Sequence, residues 1–153
     1  MPEIALAPPT DLFRLETDRW TAPFWEAAAQ GRLAVPRCGA CGTFRLPPTP
    51  FCPACRSQAL DWVTLSGRGT LYAFTVVRRA GLPGMEGHIP FVPAVVELPD
   101  ADGARLVTNI VDTPIAEIRI GMSLALVWRR TADGTQVPRF CAADTHHLTE
   151  REP

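Results

Sequence analysis

Apolar residues along the chain alternate with polar ones far more often than they recur at helical spacing, and this pattern predicts strands for most of its length. The longest run is Thr70–Arg79, with Tyr72, Phe74 and Val76 on one face and Leu71, Ala73, Thr75 and Val77 on the other. A strand apolar on both sides suits a closed barrel that also carries something packed on its outside. Further runs span Val92–Leu98, Arg105–Val111, Ser123–Arg129 and Gln136–Cys141. Asp102-Gly103 and Asp133-Gly134 mark hairpin connections, while Ile115–Gly121 reads as a helical turn or a loop. Counted from Gly67, five strands of this length close most naturally into a small Greek-key barrel of the OB type. A split sandwich is the other arrangement they allow.

The N-terminal side reads differently. Residues 1–19 are Pro-containing and aperiodic, and are expected to form a flexible arm. Pro23 in a first turn and Gly31 just past the last one predict a short helix over Phe24–Gln30, with Phe24, Ala27 and Ala28 sharing one face. Two turns cannot stand alone, so an aromatic of this helix must be buried against something. Leu33–Arg37 alternates and is expected to pair with Thr43–Leu46. The expected domains are therefore the arm (1–19), a helix-and-ribbon unit (20–60), the barrel (61–143) and a flexible tail (144–153) containing His146 and His147.

The ribbon is where the chemistry concentrates. Cys38-x-x-Cys41 and Cys52-x-x-Cys55 are separated by ten residues, which is metal-site spacing. Each pair can form a knuckle that points two thiolates at one ion, and four sulfurs leave no open position for water. The site is therefore structural, with zinc as the expected ion; spacing alone does not exclude iron. A disulfide scaffold would want an oxidising compartment, and a thioredoxin-like pair would want a single motif at a helix start.

Composition narrows the function classes. A formal charge of −1 is a poor match for a nucleic-acid binder. Four thiolates around a divalent ion make the charge about one to two units more negative. No run of about 18 apolar residues indicates a membrane span, and the start Met1-Pro2-Glu3 lacks the features of a secretory leader. A cytoplasmic protein is the expectation. No hydrolase triad or carboxylate pair can be assembled. Arginines are more suggestive: Arg37, Arg68, Arg78 and Arg79 are candidate contacts for a phosphorylated ligand, with Arg78 and Arg79 foremost because they lead into the Gly/Pro-rich loop Ala80–Pro90. Trp25 on the helix, and Met85 and His88 in that loop, are candidate partner or ligand contacts.

Taken in order, these marks resemble a known family. They are the helix from Phe24 to Leu33, the two knuckles with Pro53 and Ser57, Trp62, then Ser66 through Thr75, Pro90 through Leu98, Ile120-Gly121-Met122 and Val137 through Phe140. Over about residues 20–142 the chain is similar to acyl-CoA-associated OB-fold proteins with an N-terminal rubredoxin-like zinc ribbon. The resemblance implies a mainly β protein and carries over Cys38, Cys41, Cys52 and Cys55 as zinc ligands, but no catalytic residue. It also implies a non-catalytic subunit of a thiolase-like acyl-CoA enzyme, with a hot-dog-fold hydratase as a further partner, and acyl-CoA as a possible ligand. Two other readings stay open at this point. One is a single-stranded nucleic-acid binder stacking bases on Tyr72 and Phe74; the other is a stand-alone acyl-CoA thioesterase using His88 as base.

Overall fold

The structure, a computed structural model, describes residues 1–11 and 14–144. One helix, α1 (Ala22–Ala29), precedes seven strands: β1 (Ala34–Cys38), β2 (Leu60–Thr64), β3 (Arg68–Phe74), β4 (Val92–Leu98), β5 (Ala104–Ile110), β6 (Ser123–Arg130) and β7 (Gln136–Ala142). The last five close a barrel in the order β3-β4-β5-β7-β6, with β6 returning to β3. Every contact is antiparallel except the short parallel pairing of β5 with β7 at Ile110 and Phe140. This is the OB-type barrel that the alternation predicts.

Burial on β4 follows the pleat, with Val92, Ala94, Val96 and Leu98 inward and the residues between them half-exposed. Leu71, Ile110, Leu124 and Phe140 meet them in the core. Gly69 on β3 lies so close to this packing that a Cβ there would fall 2.3 Å from Val96 Cγ1 and 3.1 Å from the Phe140 ring. The core runs on without a break into the ribbon, since Leu33, Val35, Leu65 and Phe24 belong to the same cluster. Trp25, set edge-on to Phe24 with ring centroids 5.0 Å apart, extends it outward.

Three expectations need correction. The run Thr70–Arg79 is a regular strand only to Phe74, and a bulge between Leu71 and Ala73 shifts its register. Beyond Phe74, Pro93 offers its carbonyl to the Thr75 amide (3.1 Å) but has no N–H to give back. The bulge also separates the two proposed stacking aromatics: Tyr72 stays exposed, under the Arg105 guanidinium, while Phe74 packs against the core. In the ribbon, β1 pairs in full with β2, Ala34 opposite Thr64 through Cys38 opposite Leu60. The segment expected as its partner touches it only at the bridge between Arg37 and Phe44 and at flanking hydrogen bonds, because Pro47 and Pro48 cut that segment short.

The third correction concerns the arm. Ala5 is fully buried, and Ile4 and Leu6 form bridges to Pro114 and Phe91. The Ala5 amide donates to the Thr113 carbonyl (2.9 Å), the Asp112 amide to the Ala5 carbonyl (2.9 Å), and the Leu6 amide to the Pro90 carbonyl (2.9 Å). Glu3 pairs with Arg78 at 2.7 Å. The first residues thus form an extra, irregular strand wedged between two loops rather than a loose arm. The predicted tail from residue 145 onward, with His146 and His147, lies outside the described residues, as do Leu12 and Phe13. No helix among the described residues is long and apolar enough to cross a membrane.

Gly69→Ala is expected to destabilise the barrel by about 1–3 kcal/mol through overpacking. Denaturant unfolding read from tryptophan fluorescence checks this as a fall in midpoint with little change in slope.

Candidate metal centre and cleft

The two knuckles bring the sulfurs of Cys38, Cys41, Cys52 and Cys55 within 4.8 Å of one another. Cys38 Sγ lies 3.6 Å from Cys55 Sγ, and Cys41 Sγ lies 3.6 Å from Cys52 Sγ. A tetrahedron with zinc–sulfur bonds of about 2.3 Å has edges of about 3.8 Å, so the donor set fits the ion in both chemistry and size. Local sequence places the ligands. The Gly42 amide donates to the Cys38 carbonyl (2.9 Å), with Gly42 at φ +80°, and the Arg56 amide closes the second knuckle on the Cys52 carbonyl (2.9 Å). Cys38 and Cys52 are buried, whereas Cys41 and Cys55 face outward.

Electrostatics in the knuckles favours thiolate, up to a limit. The Cys41 amide, helped by that of Ala40, lowers the Cys38 thiol below its ordinary value. The Thr43 hydroxyl (3.2 Å) and amide hold Cys41 down to about 6. For Cys55 the Ser57 amide pulls the same way, but the neighbouring cysteines and burial prevail and push it up to about 12. Four thiolates cannot share so small a volume without a cation. A bound divalent ion supplies that charge and cross-links the ribbon; with four protein ligands it leaves no position for substrate.

A second feature lies beside Trp25 of the helix. A cleft of about 620 Å³ opens between the arm, α1, the loop after β3 and the barrel at β5 and β7. Trp25, Leu82, Met85 and Phe91 make its walls apolar, and Arg14, Arg79 and Arg139 bring cationic groups to it. No carboxylate is among its described lining residues. Arg139 donates to Asn109 Oδ1 (2.7 Å), and desolvation lowers its pKa from the usual guanidinium value.

The arginines expected to act together are dispersed. Arg78 and Arg79 point apart, as neighbours on an extended segment do: Arg78 pairs with Glu3, and Arg79 reaches the cleft. Arg68 sits 3.7 Å from Asp100 at the start of β3, and Arg37 is exposed on β1, so neither lines the cleft. Trp25 and Met85 do line it. His88 instead holds the arm, with Nδ1 2.9 Å from the Ala7 carbonyl oxygen. Sequence reasoning missed Arg14, which lay in an aperiodic stretch, and Arg45, which is buried inside the ribbon.

Family models described as "ChsH2, rubredoxin-like zinc ribbon domain" and "ChsH2, C-terminal OB-fold domain" match residues 25–61 and 62–129. A solved chain described as "Ltp2-ChsH2(DUF35) aldolase" superposes with a TM-score of 0.76 at 40% identity, covering 85% of this chain and 99% of that one. The chain belongs to the ChsH2 (DUF35) family. It is 42% identical over 118 residues to a Thermomonospora curvata protein named "Probable enoyl-CoA hydratase alpha subunit", and 38% identical over 95 residues to a "DUF35 domain-containing scaffold protein" of Methanocaldococcus jannaschii. The first match covers 76% of this chain and 36% of the relative, the second 61% and 65%. The chain thus spans about a third of the hydratase subunit's length and just under two thirds of the scaffold protein's. The four-cysteine centre is accordingly the zinc site of a rubredoxin-like ribbon in a ChsH2-type chain.

Cys52→Ser is expected to abolish stoichiometric zinc and unfold the ribbon, whose binding free energy in comparable peptides is about 10–16 kcal/mol. Elemental analysis of the purified variant checks the metal, and amide exchange across β1 and β2 checks the ribbon.

Proposed function

We propose that this chain is a non-catalytic, zinc-containing auxiliary subunit of a thiolase-like acyl-CoA enzyme. It braces the partner's active site and lends its arginine-bearing cleft to the anionic part of a CoA thioester. The observation that carries this reading is the superposition onto nearly the whole of a chain from the Ltp2-ChsH2(DUF35) aldolase. The chemistry is compatible: the metal site is coordinatively closed, and His88, the base required by a stand-alone thioesterase, is tied to the arm. The cleft has the composition an amphipathic anion needs, apolar walls with guanidinium groups and no carboxylate among the described lining. A second reading, a hydratase of the hot-dog fold as partner, is favoured by the 42% identity to a hydratase alpha subunit. Separation of Tyr72 from Phe74 by the bulge weighs against the nucleic-acid reading.

Affinity capture from native extract is expected to retain a thiolase-like protein, whose acyl-CoA turnover rises on adding this chain, while the isolated chain turns over none. A chain that captures neither a thiolase-like protein nor a hydratase, or that hydrolyses thioesters unaided, overturns the proposal. In the assembled enzyme, Arg79→Ala is expected to raise KM for the CoA thioester by about 10- to 100-fold, the cost of a lost charge-assisted hydrogen bond, with a much smaller change in kcat.

A further inference from the structure

Arg45 is the one arginine named above that serves neither the cleft nor the surface. Its relative exposure is 2%. Its amide donates to the Pro36 carbonyl (2.9 Å), fixing the residue beside β1. From there Nη1 donates to the carbonyls of Thr49 (3.2 Å) and Ser57 (3.4 Å), and Nη2 to that of Ala59 (2.6 Å). Two of these carbonyls also receive amides from the metal loops. Ser57 O accepts from the Cys52 amide (2.9 Å), and Ala59 O from the Gly39 amide (3.0 Å). The guanidinium is thus one shared acceptor away from each knuckle.

Its charge is otherwise uncompensated. None of the ion pairs formed among the described residues involves Arg45, and its Nε is buried without a protein partner. A guanidinium stays charged when buried, and burying it without a counter-ion is strongly unfavourable. The centre formed by four thiolates and a divalent ion carries a net charge of −2 within the same small unit.

We propose that Arg45 is a positioning residue for the metal: its charge offsets the zinc–thiolate centre, and its three carbonyl contacts hold the second knuckle closed, so that it sets how firmly zinc is retained. The inference concerns this chain alone and does not depend on the identity of any partner. The test uses the zinc-loaded full chain and its Arg45→Lys and Arg45→Met variants, timing zinc release into an excess of chromogenic chelator. The cobalt-substituted forms report ligand geometry by absorption. Arg45→Met is expected to release zinc about 10- to 100-fold faster, the usual cost of losing an outer-shell partner, while keeping a tetrahedral cobalt spectrum. Arg45→Lys, which keeps the charge but not the fork, is expected to fall between. Release from Arg45→Met within about twofold of the parent, well below that range, overturns the proposal. So does an Arg45→Lys chain that releases zinc as fast as Arg45→Met. If Arg45→Met does not fold, Arg45→Gln, which keeps donors and drops the charge, takes its place in the same comparison.

Discussion

Mutual repulsion of four crowded thiolates, relieved by one divalent cation, is the constraint on which the N-terminal half of this molecule depends. The ribbon has too few residues for a core of its own. Metal ligation fixes Cys38 at the end of β1 and Cys52 beneath the return segment, and β1 can then pair with β2 along its whole length. That pairing presents Leu33, Val35 and Leu65 to the barrel, where they join Leu71, Val96 and Phe140 in one apolar cluster. Metal binding and hydrophobic packing thus act in series: the first shapes a surface, and the second buries it.

The same arrangement accounts for the division of labour in the molecule. A closed metal site has structural value because it offers no reactive position, and the barrel core is filled by its own side chains. What is left for recognition lies where separate units meet. The cleft takes walls from the arm, from α1, from the loop following β3, and from β5, β7 and the turn before β7. None of those elements forms such a surface alone, so the packing of the ribbon on the barrel sets the distances between them.

Much of this was legible in the sequence because it is local. Cysteine spacing is a property of two short turns, and strand alternation repeats every second residue, so both survive without tertiary information. What was not legible depended on distant backbone. Phe44-Arg45-Leu46 reads as an ordinary alternation with its arginine toward solvent. Only the return of the chain at Ser57 and Ala59 supplies the carbonyls that draw Arg45 inward. The arm carried no period because its register is set by main-chain partners at Pro90 and Thr113, which leave no mark in its own side chains. Arg78 and Arg79 are adjacent in sequence but diverge on an extended segment, and the partner that claims one of them, Glu3, is distant in the chain.

The docking of the arm has a temporal consequence. Residues Glu3–Leu6 leave the ribosome well before the groups that receive them, Pro90 and Asp112–Ile115, are made. Contacts of such high sequence separation form slowly, so the barrel can close before this segment finds its slot. During synthesis this strand-competent segment therefore stays unpaired until those groups emerge, and the wall of the cleft that includes Pro8 and Pro9 waits on its docking.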